Sequence, residues 1–328
     1  MHLVDGHARS VTYLRLSLTD RCNYRCQYCM PAAGVALSPK AEQLSAEEIV
    51  RLVRALQPLG LRRVRLTGGE PTIRRDLIDI VSGLAALGLE DLAMTTNGEL
   101  LAELALPLRQ AGLHRLNISL DSLNEARFLA ITRRGRLDRV LAGIEAASSA
   151  GFAASKLNTV VLGGHNEDEL PALCEFAWHR QMIPRFIEEM PMSDGALFMR
   201  GRFVAAKAMR QGIAAAFGPL QVDSGASVVG AGPARYWKTA AGERVGLISA
   251  VTEPFCETCN RVRVTATGRL HACLSSDDEV NLLDDLRGGT EAGLLEHVRG
   301  ALRRKAIGHQ FSTCGTGAPK KHMVTIGG

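Results

Sequence analysis

The sequence predicts an α/β protein built on a parallel sheet that does not close on itself. Two features carry this. Strand-like runs alternate with helical patterns as far as residue 190, and the strand-like runs are mostly apolar, as parallel strands under helices are. A third feature limits the architecture: six such units are visible, fewer than the eight of a closed (βα)8 barrel. An open, partial barrel and a doubly wound sheet both satisfy these observations.

The strand candidates are "VTYLRLSL" (11–18), "RVRLT" (63–67), "LAMTT" (92–96), "RLNISL" (115–120), "KLNTVVL" (156–162) and "PRFIEEM" (184–190). Between them, "SAEEIVRLVRALQPLG" places Ile49, Val50, Leu52, Val53 and Leu56 on one helical face. It opens on a capping box, Ser45 with Glu48 three residues on. "LIDIVSGLAALG", "ELLAELALPLRQAG", "LDRVLAGIEAASSAG" and "EDELPALCEFAWHR" read the same way, and most end in glycine. The alternation breaks after "MPMSDGALF". A helix at about 203–217 leads to a hairpin, "ARYWKTA" with "RVGLISAV", and then to a second, "RVRVTATGRLHACL", turning at Thr267-Gly268. Two helical stretches and a loose tail follow. These changes place a domain boundary near 195–200, giving units of 1–198 and 199–328.

Composition excludes several classes. The chain has 328 residues, 46% hydrophobic and 22% charged, a soluble globular profile. No apolar run approaches the about 20 residues of a membrane span, and "MHLVDGHARS" lacks a signal-peptide core, so a cytoplasmic protein is expected. Eight cysteines there point to metal ligation or catalysis more than to disulfides. A net charge of +5 suits an anionic ligand such as a nucleotide, but is too small to argue for nucleic acid.

Three of the cysteines, Cys22, Cys26 and Cys29, lie in "DRCNYRCQYCMP" with the spacing C-x3-C-x2-C. A structural zinc site takes four protein ligands and a disulfide two. Three thiolates on a four-iron cubane leave one iron open for another ligand. The motif follows the first strand, at the carboxyl end where α/β sheets and barrels bind ligands. "TGGEP" (67–71) and "TTNG" (95–98) follow the second and third strands, Ser119 and Asp121 close the fourth, and Lys156 opens the fifth. A second set, Cys256, Cys259 and Cys273, is spaced C-x2-C-x13-C. It fits a second cluster with an open iron, or a zinc ribbon if a residue such as His271 completes it. Arg261 and Arg263, between these cysteines, share one strand face. The chain has no G-x4-G-K-[ST] loop, so a triphosphate would be held by scattered Arg and Lys. Cys174 reads as a core thiol in an apolar helix, and Cys314 has no partner at ligand spacing.

C-x3-C-x2-C followed by a GGEP segment resembles the radical S-adenosylmethionine enzymes. "LRLSLTDRCNYRCQYCMP", "VRLTGGEP", "TTNG", "NISLDSL", "KLNTV", "RFIEEMP", "CETCNRVRVTATGRLHACL" and the terminal "IGG" together resemble the GTP 3′,8-cyclase family, nearly end to end. That family opens molybdenum cofactor biosynthesis, converting GTP to (8S)-3′,8-cyclo-7,8-dihydroguanosine 5′-triphosphate. The resemblance implies a partial (βα)6 TIM-type barrel (1–198) whose open side is closed by a C-terminal α+β region (199–328).

It further implies two [4Fe-4S] clusters and S-adenosylmethionine. Cys22, Cys26 and Cys29 would hold the cluster whose open iron chelates S-adenosylmethionine, which is cleaved to a 5′-deoxyadenosyl radical. Cys256, Cys259 and Cys273 would hold the cluster that meets the guanine. Tyr28, Gly69, Ser119 and Met190 would contact the cofactor. Arg15, Arg65, Thr95, Lys156, Arg185, Arg261 and Arg263 would bind GTP. Arg261, Arg263, Gly327 and Gly328 would act in catalysis. Implied partners are an electron donor such as flavodoxin or ferredoxin and a downstream cyclic pyranopterin monophosphate synthase, for a monomer or homodimer that touches neither nucleic acid nor membrane. Two readings compete: another radical S-adenosylmethionine enzyme with an auxiliary cluster, and a non-catalytic zinc-binding module.

Overall fold

A computed structural model describes residues 2–152, 155–223 and 232–327. Six strand–helix units come first. β1 (Tyr13–Ser17) leads to α1 (Ala46–Leu56), β2 (Arg63–Thr67) to α2 (Leu77–Ala85), and β3 (Asp91–Thr96) to α3 (Leu101–Gln110). β4 (Arg115–Ser119) is followed by two helices, α4 (Glu125–Thr132) and α5 (Leu137–Ser149). β5 (Lys156–Val161) leads to α6 (Leu170–His179), and β6 (Ile183–Glu188) to α7 (Ala206–Phe217). The remainder holds β7 (Gln221–Val222), β8 (Arg235–Lys238), β9 (Arg244–Ile248), β10 (Arg261–Val264), β11 (Arg269–His271) and β12 (Val280–Asn281). Helices α8 (Leu283–Arg287), α9 (Glu291–Arg303) and α10 (Met323–Ile326) complete it.

The expected six parallel strands run in chain order, β1 to β6. The two hairpins also form as expected, but each joins this sheet. β10 pairs parallel to β1 and β9 parallel to β6, so eight parallel strands stand side by side. Among the described residues the two ends of the sheet do not pair with each other, and the barrel stays open.

Neighbouring strands show why the sequence folds this way. In β1, Leu14 and Leu16 are wholly buried on the helix side, while Tyr13 and Arg15 face the lumen. β2 repeats this with Val64 and Leu66 against Arg65 and Thr67. β10 does so with Val262 and Val264 against Arg261 and Arg263. The strands are therefore apolar on the helix side and cationic or polar on the lumen side. Each buried aliphatic contributes about 1.5–3 kcal/mol, which offsets the cost of bringing guanidinium groups inside. The capping box forms as the sequence indicates: Glu48 N–H donates to Ser45 Oγ (3.2 Å) and Ser45 N–H to Glu48 Oε2 (2.7 Å). Cys174 is buried in α6 as a core thiol.

Candidate active site

The strand C-termini open into a cavity of about 310 Å³ whose wall includes all six motif cysteines. The first three lie in the loop after β1. Cys29 N–H donates to Cys26 C=O (3.0 Å), and Arg25 Nη1 donates to the carbonyls of Cys22 and Tyr24 (2.8 Å each). The loop is stitched to the end of α4, where Arg25 N–H and Gln27 N–H donate to Thr132 and Ile131 carbonyls (3.0 Å each). Tyr28 Oη donates to Asp121 Oδ2 (2.7 Å). Burial holds the Asp121 carboxyl up at about 6.

The GGEP turn supports the same loop. Gly69 N–H donates to Thr19 C=O (2.6 Å) and Glu70 N–H to Arg21 C=O (2.8 Å). A Cβ on Gly69 would lie 2.1 Å from Arg21 O, so only glycine allows this approach. Glu70, buried, accepts from Thr72 N–H (3.0 Å), Thr72 Oγ1 (2.6 Å), Thr96 Oγ1 (2.7 Å) and Asn97 N–H (2.7 Å). One carboxylate thereby ties the GGEP turn to the TTNG turn. Asn97 Nδ2 then donates to Asn23 Oδ1 in the cysteine loop (2.8 Å). Sequence reasoning assigned no role to Glu70 or Asn97, although both sit inside motifs it singled out.

Cys256 and Cys259 occupy a single 3-10 turn, Cys256–Thr258 with Cys259 as its cap, just before β10. Cys273 follows β11. Cys259 N–H donates to Cys256 C=O (3.0 Å). Arg9, another residue sequence reasoning missed, donates from Nη1 to the carbonyls of Cys256 and Ile307 (2.7 Å each) and pairs with Asp5 (2.6 Å). The two thiol sets differ electrostatically. Burial pushes Cys22 and Cys29 up to about 12 and Cys26 well above its ordinary value. At Cys259 burial also pulls upward, but Arg261 and Lys305 more than reverse it and hold the thiol at about 7.

Among the described residues, no three His, Cys, Asp or Glu side chains are set to share one metal ion. His271 is engaged elsewhere: its ring lies 3.3 Å from Lys321 Nζ and 3.6 Å from Glu279 Oε2.

The cavity floor is cationic. Strand register aligns Arg263, Arg15 and Arg65 in one row across β10, β1 and β2. Among the described residues, Arg65 Nε and Thr95 Oγ1 are buried on the wall without a hydrogen-bond partner, a donor set suited to a polar anionic guest. Arg185 donates to Asn158 Oδ1 (2.9 Å) and Asn117 Oδ1 (2.8 Å). Its guanidinium is lowered to about 10, as is that of Arg263, in both cases chiefly by burial. Tyr28, Gly69, Ser119, Met190, Arg15, Thr95 and Arg261 also line the cavity. Lys156 shares the β5 face of Asn158 and Val160, which line the cavity, but is itself only 1% exposed, and burial with Arg185, Arg115 and Arg65 nearby pulls it to about 6.

The tail returns to this site. Val324 N–H donates to the Cys29 sulfur, and Ile326 packs with Met192, Val251 and Phe311. Gly327, at φ 79°, accepts from Arg263 Nη1 through its carbonyl. Gly328 lies outside the described residues.

Residues 16–177 match the Radical SAM superfamily, and residues 182–311 match Molybdenum Cofactor Synthesis C. The GTP 3′,8-cyclase of Marinobacter nauticus is 46% identical over 99% of this chain and 98% of its own length. That of Heliobacterium modesticaldum is 43% identical over 99% and 100%. Among solved structures, Streptococcus suis SuiB bound to the precursor peptide SuiA superposes with a TM-score of 0.65. It covers 91% of this chain and 68% of SuiB at 13% identity, a likeness of fold alone. With near-complete coverage at this identity, and both halves matched to their own families, the chain belongs to the GTP 3′,8-cyclase family.

Proposed function

We propose that the cavity is where this radical S-adenosylmethionine enzyme cyclises GTP to (8S)-3′,8-cyclo-7,8-dihydroguanosine 5′-triphosphate, an early step of molybdenum cofactor biosynthesis. The observation that supports this best is convergence. Six cysteines in two sets and a row of arginines face one cavity. Cys22, Cys26 and Cys29 hold one [4Fe-4S] cluster, and Cys256, Cys259 and Cys273 hold the other. When bound, the clusters and S-adenosylmethionine supply one-electron chemistry that removes a ribose hydrogen and lets C3′ bond to C8 of the base.

The chain's own residues do the positioning. Tyr28, Gly69, Ser119 and Met190 seat S-adenosylmethionine. The guanidinium groups of Arg15, Arg65, Arg185, Arg261 and Arg263, with Thr95, receive the nucleotide. Their planar forks suit phosphate oxygens, which replaces the absent Gly-rich phosphate loop. Lys156, lowered to about 6 by burial among cations, becomes charged when the anionic nucleotide joins it. Arg263 links the substrate site to the tail through Gly327, and the tail with α10 helps exclude water. In this division of labour, 1–198 carries the first cluster and cofactor, and 199–328 the second cluster and the tail. The electron enters from a small acceptor-matched donor of the flavodoxin or ferredoxin kind. The product passes to a cyclic pyranopterin monophosphate synthase.

The test is anaerobic incubation of the iron-loaded chain with GTP, S-adenosylmethionine and a reductant, followed by chromatography and mass spectrometry. A cyclised nucleotide formed together with 5′-deoxyadenosine is expected. Cofactor cleavage with GTP returned unchanged would defeat the reading.

A further inference from the structure

The segment "RRKAIG" (303–308) carries three cations in succession at the end of α9, and they part company in the fold. Arg303 pairs with Glu296 and Arg304 with Asp278 at the surface. Lys305 turns inward and is 3% exposed. Its N–H donates to Leu302 C=O (3.1 Å), which closes the helix end and aims the side chain under β10. There Nζ lies 3.5 Å from Cys259 Sγ and 2.5 Å from Arg261 O.

A buried ammonium normally has a carboxylate partner, because an uncompensated charge is expensive to bury. Among the described residues Lys305 forms no ion pair with Asp or Glu. The negative C-terminus of α9 offers only a partial counter-charge. Two further cations surround the same turn. Arg9 holds the Cys256 carbonyl, and Arg261 Nη2 lies 3.6 Å from Cys259 Sγ. The first cysteine set has more acidic surroundings: Glu70 and Glu99 act on Cys22 against a single cation, Arg25, and Asp121 acts on Cys26 and Cys29.

We propose that Lys305 is the built-in counter-cation of the second cluster, donating to the Cys259 sulfur and raising that cluster's reduction potential relative to the first. The inference rests on the reading that Cys256, Cys259 and Cys273 hold a cluster. A cubane on three thiolates is anionic, and hydrogen bonds and positive charge at a ligating sulfur favour the reduced form. Lys305 is thus a positioning and tuning residue. It is separated from the nucleotide site by the cysteine turn.

The experiment is an EPR-monitored redox titration of the full chain with both clusters loaded. The first cluster's signal is identified by its change on adding S-adenosylmethionine. Lys305→Met should shift the second cluster's midpoint to more negative potential, leaving the first cluster's midpoint and the iron content as in the parent. Lys305→Arg should restore most of the parental value. A parental midpoint in Lys305→Met overturns the proposal. Should Lys305→Met fail to hold the second cluster, Lys305→Gln keeps a donor without charge. It should show a smaller shift in the same sense, and a parental midpoint there overturns the proposal equally. Cys259→Ala separates the two readings, because it should lose about half the iron. If it keeps all of it, the cysteine assignment fails. If it loses half while the Lys305 variants titrate like the parent, only the counter-cation fails.

Discussion

The Arg263 guanidinium donates to the carbonyl of Gly327, joining a strand that begins beside the second cysteine set to the tail that touches the first. Gly327 can be there only as glycine. Its φ is 79°, and a Cβ would lie 2.5 Å from Thr67 Oγ1 and 3.2 Å from Ser17 Cβ. Strain of this kind costs about 1–3 kcal/mol. Gly327→Ala should therefore displace the tail and lower the yield of cyclised product per 5′-deoxyadenosine. Iron content and S-adenosylmethionine binding should stay parental. The ratio of the two products, measured by chromatography, checks this.

Gly69→Ala should act on the first cluster selectively. The added methyl would meet the Arg21 carbonyl at 2.1 Å, in the stretch that seats the cysteine loop. Reconstituted protein should lose iron at the first site and retain it at the second. Equal loss from both sites, or none, would show that the GGEP turn does not seat the loop.

Removing Arg261 or Arg263 should weaken GTP binding by about ten- to a hundred-fold each, the value of one charge-assisted contact of about 1.5–3 kcal/mol. Arg→Lys at either position should also weaken it, since an ammonium cannot reproduce a bidentate fork. Calorimetric titration with GTP reads both effects.

Lys156 titrates at about 6 in the folded chain against 10.5 as its ordinary value, because it is buried among cations. Between those values the unfolded chain binds more protons, so the native state bears a penalty that is largest below pH about 6 and vanishes near 10.5. Lys156→Met should stabilise the nucleotide-free protein most at low pH, with the gain falling steadily through that window. Urea midpoints across the pH range test the sign.

Much of this arrangement was legible in the chain. "RVRLT" is β2 to the residue, and the cysteine spacings with "TGGEP" and "TTNG" marked the mouth of the barrel. What escaped was non-local. β9 and β10 look like ordinary hairpin strands, and nothing in "RVGLI" or "RVRV" announces parallel pairing with strands far off in sequence. The α4 helix was missed because "EARFLAIT" is short and weakly amphipathic, although its Asn124 cap is a recognisable start signal. Lysine and arginine positions were read as solvated or substrate-binding. Whether a cation such as Lys305 or Arg9 points outward or under a cysteine turn depends on packing that a single sequence does not display. Lys156 likewise shows a burial among cations that its sequence neighbourhood does not announce.

The central claim is that two cysteine sets hold two clusters with separate tasks in one cavity. It is tested most directly by comparing the parent with Cys26→Ala and Cys259→Ala, each reconstituted anaerobically and given GTP, S-adenosylmethionine and a reductant, with 5′-deoxyadenosine and cyclised nucleotide quantified together. Cys26→Ala should form neither product, and Cys259→Ala should form some 5′-deoxyadenosine and no cyclised nucleotide. Cofactor cleavage that persists in Cys26→Ala, or cyclised nucleotide from Cys259→Ala, would contradict the account.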